Sequence, residues 1–395
     1  MATITDLRTQ AEAAWQQMWV DPDMETITFI RGAVLACRNL NQSFHLQLTA
    51  KPGTGKTTLL SGFESIPWTY TVDSYSANTL FSGQMHGNTV NPNASLAIKL
   101  QNDKKYCVIN NDFSVVMSNR RVRAAVLSDM RSVIDGRRSD QKGVGSTLNE
   151  GGVLFTDKNG KIAFISALTP TSLTGWDRDG YQRSMGERSL VWRMTERTSD
   201  YNPVEVLDRS TEENMTKVKK SEKSLCLQLL KQSKPSQKDS KDYVYFCSYA
   251  ANFLAIARTP VIRDSKVHKI ESVGDTEEPI RIFKMMISLA DGYVISSGLE
   301  YGHEEVRSVI HKLCFDSIPE DRSWVLKHLN NSPDGISLPD LIKQSKFSHR
   351  AMRNAVEDLR LIGLIEVKKS STDVVKASNE CWEHFNKLFL TDQRS

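Results

Sequence analysis

A chain of 395 residues with 39% apolar and 25% charged residues has the composition of a globular protein with room for two or three domains. Its formal charge of +4 is small for that length, so a hold on nucleic acid must come from local clusters of Lys and Arg rather than from a global field. The six cysteines are scattered without a C-x-x-C pair, no apolar run approaches a membrane span, and the polar start "MATITDLRTQ" does not read as a signal peptide. The expectation is a reduced, cytoplasmic protein with free thiols and no membrane association. A metalloprotease helix is excluded as well, because "HEEVRSVIH" from His303 puts its second histidine eight positions on, where one helical face needs four.

In chain order, "TDLRTQAEAAWQQMW" predicts an amphipathic helix within an N-terminal helical segment, 1–30. "FHLQLTA", Phe44 to Ala50, predicts a strand that runs straight into a glycine loop, and "KTTLLSGF" predicts the helix after it. "KYCVIN" and "KIAFISAL" are short apolar runs bounded by polar turns, the pattern of buried parallel strands, and the helical stretch "RRVRAAVLSDMRSVI" lies between them. This alternation predicts an α/β core over 31–200. A mostly helical second domain follows over 201–318, with a polar, lysine-rich break near 231–242 and the helices "IRIFKMMISLADGYVIS" and "EEVRSVIHKLCFDSI".

The last stretch, 319–395, has its own logic. "SWVLKHLNN" predicts a helix, Ser337 caps "LPDLIKQ", and Ser348 caps "HRAMRNAVEDLRLI", which stops at Gly363. Two β-rich runs, "LIEV" and "DVVKA", close a hairpin. Three helices and a hairpin predict a winged helix-turn-helix with Ser348 to Leu361 as the recognition helix. His349, Arg350 and Arg353 in its first turns, and Lys368 and Lys369 in the wing, are then the candidate DNA contacts. On the residues alone, a module that packs only against protein fits equally well.

The glycine loop, Ala50, Lys51, Pro52, Gly53, Thr54, Gly55, Lys56, Thr57 and Thr58, is built for phosphate. Backbone N–H groups at a strand-to-helix turn donate to anionic oxygens, Gly53 and Gly55 permit positive φ and close approach, Lys56 reaches the terminal phosphates, and the Thr57 hydroxyl can bind Mg²⁺. Ala50 stands where such a loop has its first glycine, and it fits there provided its φ is negative. Hydrolysis asks for a carboxylate, a polar group near the γ-phosphate and a cation. Asp112 after "KYCVIN", Thr169 after "KIAFISAL" and Arg188 before a β-like run follow the loop in that order.

"AKPGTGKTTLL" resembles the Walker A segment of the minichromosome-maintenance (MCM) helicases, a branch of the AAA+ ATPases; "CVINNDF" resembles their Walker B, "FISALTP" their sensor 1 strand and "MGERSLVWRM" their arginine-finger segment. "EEPIRIFKMMISLADGYVIS" resembles their lid helix, which puts the sensor 2 role on Arg281. The resemblance is closer still to the MCM-like ATPases of phages, plasmids and integrated mobile elements. It implies an AAA+ core with a helical lid and a C-terminal winged helix, Mg²⁺ and ATP at the interfaces of a homo-oligomeric ring, usually a hexamer, and single-stranded DNA in its channel. It also aims the hairpin around "VLFTDKNGKIAF" into that channel, making Lys158 and Lys161 phosphate contacts; a plain surface hairpin is the other reading. Asn111 departs from the pattern, since the family's helicases usually carry two acids here and only Asp112 remains. The short segment ahead of the loop implies that the family's N-terminal DNA-clamping domain is missing. Three expectations follow: an ATP-driven, replicative-type DNA motor; a nucleotide-gated DNA-binding or helicase-loading factor with weak ATPase and no unwinding; or an AAA+ regulator that does not act on DNA, with the winged helix as a protein contact.

Overall fold

The computed structural model describes residues 2–38, 43–76, 79–80, 85–86, 89–90, 96–135, 161–170, 185–195, 203–231, 241–264, 269–368 and 373–389. Two compact units emerge, Met1–Ser236 with Ser288–Glu300, and Gln237–Ile287 with Tyr301–Ser395.

The first unit is built on a parallel sheet of five strands, β1 (His45–Thr49), β2 (Thr69–Val72), β5 (Cys107–Asn110), β6 (Ala163–Leu168) and β7 (Ser189–Arg193), in the order β2-β5-β6-β1-β7. A separate two-stranded pair, β3 (Met85–His86) and β4 (Thr89–Val90), lies outside it. Parallel strands are covered on both faces, and every residue of β1, β5 and β6 is buried. Alternation divides the sheet into two faces of different character. Leu46, Leu48, Ile165 and Trp192 share one face, where Trp192 stacks on Phe29 at 3.9 Å and donates from Nε1 to the Thr26 hydroxyl at 2.9 Å. Both partners belong to α2 (Met24–Arg38), which therefore covers this face. Val108, Phe164 and Leu168 lie on the other face, in a cluster with residues of α4 (Leu96–Asn102), α5 (Ser114–Ser118) and α6 (Arg120–Ile134).

Helices α1 (Ile4–Met18), α7 (Pro203–Arg209) and α8 (Glu212–Leu229) also belong to the unit, and a fully buried ion pair joins three of its helices. Glu222 of α8 accepts from Arg31 of α2 through Nε at 2.8 Å and Nη2 at 2.7 Å, and from Trp15 Nε1 of α1 at 2.8 Å. Every polar atom of the carboxylate is thus satisfied, the condition under which a buried charge pair is tolerated. The end of helix α10 (Pro279–Ser297) packs here too: Gly292 lies so close to Gly32 that a Cβ on it would sit 2.1 Å from the Gly32 carbonyl oxygen.

The second unit contains α9 (Lys241–Ala257), the hairpin β8 (Val261–Arg263) and β9 (Ile270–Val273), α11 (Glu304–Ser317), α12 (Glu320–Asn330), β10 (Ile336–Ser337), α13 (Leu338–Gln344), α14 (His349–Leu361), β11 (Ile365–Lys368), β12 (Val374–Ala377) and α15 (Asn379–Phe389). Ser337 and Ser348 cap α13 and α14 through their hydroxyls, accepting from the N–H groups of Asp340 and Ala351, and α14 ends just before Gly363. β10, β12 and β11 form a three-stranded antiparallel sheet, one short strand more than the hairpin expected. His303 caps α11, its Nδ1 accepting from Glu305 N–H at 3.2 Å.

The units do not follow the segments 31–200, 201–318 and 319–395. The stretch read as one helical domain is divided: α8 belongs with the N-terminal helices because Glu222 is committed to Arg31 and Trp15, while α9 belongs with the C-terminal elements, Phe253 packing on Phe385 of α15.

Candidate functional site

Because β6 lies between β1 and β5, the carboxyl ends of three strands stand side by side, and the glycine loop, Asp112 and Thr169 follow directly from them. Ala50 continues β1, its N–H donating to Leu168 O at 3.4 Å, and it is absent from the positive-φ positions, so a methyl group costs nothing there. Gly53 and Gly55 carry the turn at φ 79° and 85°. Gly55 is constrained twice, since a Cβ on it would also lie 1.9 Å from the Trp19 ring. Among the described residues nothing lies within 4 Å of the position a Gly53 Cβ would take, and Lys51, Pro52 and Gly53 form an exposed crest.

Helix α3 (Lys56–Ser61) is shorter than "KTTLLSGF" suggested, giving way to turns at Gly62. Lys56 is buried, and its ammonium donates to Ala50 O at 2.7 Å and Lys51 O at 2.8 Å. Burial pushes its pKa down, and the nearby charge of Asp112 pulls the other way. Thr57 is exposed, and its hydroxyl donates to Asn111 O at 3.2 Å. Asp112 is likewise exposed, with its N–H on Asn110 Oδ1 at 3.0 Å and its Oδ1 accepting from Ser114 N–H at 3.0 Å. Ser114 also accepts, through Oγ, from Thr169 N–H at 3.3 Å. Lys56, Thr57, Asp112 and Thr169 are therefore drawn into one connected group.

Arg188 is not part of it. The guanidinium is buried in a two-pronged ion pair with Asp135 of the same chain, Nε to Oδ1 at 2.8 Å and Nη2 to Oδ2 at 3.0 Å, with the side chains 11% and 4% exposed. The reading of Arg188 as a cation held out toward a neighbouring copy meets this pair as an obstacle, because a paired and desolvated arginine must first be released. Arg281 is half-buried in the first turns of α10, in the second unit, and Lys161 is half-buried ahead of β6. Lys158 and Lys369 lie outside the described residues.

On α14 the charged residues are sorted by sign. Met352, Ala355, Val356 and Leu359 are buried, whereas His349, Arg350 and Arg353 are exposed. The acids are both paired: Asp358, largely buried, bonds to Arg263 and, at 3.0 Å, to Arg322, while Glu357, whose side chain is 41% exposed, pairs with Arg263 at 2.8 Å. Arg350 and Arg353 make no ion pair among the described residues. Lys368 is exposed at the end of β11.

Sequence reasoning missed Glu64. In the turns after α3 its carboxylate accepts from Asn111 Nδ2 at 3.0 Å and Ser61 Oγ at 3.2 Å, and pairs with Lys219 Nζ at 3.0 Å. No motif contains it, and only the packing of α8 on this turn, where Ser65 also donates to Lys219 O at 2.8 Å, brings its partners together. Trp19 and Ser114 were missed because their contacts, with Gly55 and with Thr169, join parts of the chain far apart in sequence.

No family model matches the chain, and no curated protein matches it. Among solved structures it is similar to a "putative ATPase" from Cytophaga hutchinsonii, at 10% identity and a TM-score of 0.41 over 78% of this chain and 87% of that one. It is also similar to the ORC2 protein of Aeropyrum pernix in its ADPNP–ADP complexes, at 12% identity and a TM-score of 0.27 over 92% and 91%. TM-scores below 0.5 leave these as likenesses from which no function follows. Among the described residues no helix is long and apolar enough to cross a membrane.

Proposed function

We propose that this chain is an ATP-binding P-loop ATPase of the AAA+ class that acts on DNA. The observation that supports it most is the convergence of Lys56, Thr57, Asp112 and Thr169 at the ends of three adjacent parallel strands, beyond an open crest with backbone N–H groups and two glycines at positive φ. The residues fit Mg-ATP. The N–H groups from Gly53 to Thr58 and the Lys56 ammonium would take the phosphates, and the Thr57 hydroxyl and Asp112 carboxylate would hold Mg²⁺, which when bound offsets phosphate charge. Lys56 is already held by two carbonyls, so little side-chain freedom remains to be lost on binding. In this reading Thr169 would orient water, and the Asp112 carboxylate would receive its proton.

The module over 319–395, read as a winged helix, supports a DNA contact through α14. Its outward cations suit a run of phosphates, and its acids are spent on internal arginines. Two kinds of DNA activity remain. An MCM-like ring motor of a mobile element, probing single-stranded DNA with Lys158 and Lys161, needs Arg188 and Arg281 to complete a neighbour's site. Nucleotide-gated DNA binding or loading asks nothing of Arg188, and the internal Arg188–Asp135 pair, with a single acid after β5, favours it. The experiment is a parallel measurement of ATP turnover, DNA retention and forked-duplex displacement, with particle mass followed with and without a nonhydrolysable analogue. The gated reading expects slow turnover and salt-sensitive DNA binding without displacement. Displacement would return the motor, and failure to bind ATP would sink both.

A further inference from the structure

The acid missing at position 111 has a structural counterpart. Asn111 does two things at once: its backbone carbonyl receives the Thr57 hydroxyl at 3.2 Å, and its side-chain amide donates to Glu64 at 3.0 Å. Only an N–H end can face a carboxylate, so the amide orientation is dictated by Glu64. Glu64 is itself fixed from two further sides, by Ser61 of α3 and Lys219 of α8. Its side chain is 24% exposed and that of Lys219 33%, which leaves the group partly shielded and close to charge-neutral.

We propose that Glu64 is a positioning residue for the nucleotide site, and that Asn111 is the neutral partner Glu64 requires rather than a carboxylate lost from a motif. By holding the amide, Glu64 sets the Asn111 carbonyl against Thr57 and fixes the chain direction from which Asp112 departs beside Lys56. An aspartate at 111 would face a second carboxylate at hydrogen-bonding distance, with one ammonium, Lys219, to serve both. A neutral residue is therefore favoured at one of the two positions and an acid at the other. Lys56 and Asp112 are the next charges along the chain from this group, Asp112 acting on Lys56 through its charge, and Thr57, next to Lys56, is bonded to Asn111, next to Asp112.

This inference rests on the nucleotide reading above, and the test separates the two. Four full-length chains are compared, wild type, Asn111→Asp, Glu64→Gln and the exchanged pair Glu64→Gln with Asn111→Asp, by thermal midpoint, affinity for a fluorescent ATP analogue, and steady-state kcat and KM. Restoring the motif's acid with Asn111→Asp is expected to lower turnover about tenfold, the effect of one unfavourable charge contact worth roughly 1.4 kcal/mol. The analogue's affinity should fall less than turnover does, since the loop N–H groups and Lys56 are untouched and only the Thr57 bond to Asn111 is disturbed. The exchanged pair is expected to recover the thermal midpoint and most of the turnover. Turnover raised by Asn111→Asp, or no recovery in the exchanged pair, overturns the proposal. If Asn111→Asp alone does not fold, the exchanged pair must still fold, and its failure also overturns it. A wild-type chain that binds no ATP sinks the nucleotide reading, while the thermal midpoints of the four chains still report whether positions 64 and 111 are coupled.

Discussion

The glycine loop and helix α14 both present cations, and they treat them in opposite ways. Lys56 is buried, with its ammonium on two loop carbonyls, so its position is set before any anion arrives. Arg350 and Arg353 are exposed and carry no ion pair among the described residues. A held lysine inside a turn suits a single anionic group recognised at a fixed distance, whereas long exposed arginines suit an extended polyanion met in many registers. The neighbours show the same division. Around the loop, polar groups are used to fix geometry; on α14, both carboxylates are paired with arginines from other elements, which leaves Arg350 and Arg353 as exposed positive charge.

The comparison can be broken most severely through the charge pairs that build the two units. Glu222→Ala in the first unit strands the buried Arg31 guanidinium and should cost about 3–5 kcal/mol, read as a loss of chemical-denaturation midpoint. Asp358→Ala in the second unit removes the ion-pair partner of Arg322, whose side chain is 7% exposed and keeps its bonds to the Ala257 and Thr259 carbonyls, and should cost about 3 kcal/mol. It should also disturb α14, so DNA retention falls together with stability, whereas Glu222→Ala should affect nucleotide binding first.

Lys56→Ala addresses the loop itself. Loss of one charge-assisted contact, about 2 kcal/mol, predicts roughly 30-fold weaker ATP binding by calorimetry, with DNA retention in the absence of nucleotide unchanged. Acidification tests both units at once. Burial pushes His45 down to about 3 and His311 down to about 4, against an ordinary value near 6.5. As pH falls below about 6.5 the unfolded chain takes up protons that the folded chain refuses, so stability should fall by about 1.4 kcal/mol per pH unit for each histidine. His45→Gln should reduce that slope by one proton's worth in melts between pH 7 and 5. The smallest effect belongs to the exposed arginines: Arg350→Ala or Arg353→Ala should weaken DNA binding by about 1 kcal/mol and flatten the dependence of log K on log salt by about one unit. Lys56→Ala should leave that slope untouched.

Much of this was written in local sequence. "RRVRAAVLSDMRSVI" is α6 residue for residue, and Ser337, Ser348 and Gly363 mark the ends of α13 and α14 as their side chains and backbone freedom require. Caps, apolar runs and glycine turns act over a few residues, so they are legible without a partner. Helix α2 and strand β2 were not foreseen. α2 is apolar on nearly every side, with buried residues from Thr26 to Cys37, which blurs the helical period, and "TYTV" alternates too briefly to stand out.

The sequence by itself determined that a strand would enter a phosphate-type turn, that an acid and a threonine would follow later strands, and that helices capped by Ser337 and Ser348 would precede a hairpin; it did not show α15 after that hairpin. Only the tertiary structure decided that β6 lies between β1 and β5, bringing those residues together, that α8 joins the N-terminal helices, that Arg188 is spent on Asp135, and that Glu64 meets Asn111. Turns and caps are fixed by bonds among near neighbours, whereas strand order and charge pairing depend on which distant groups lose their water together. That choice is made by the whole fold at once, and no window of sequence contains it.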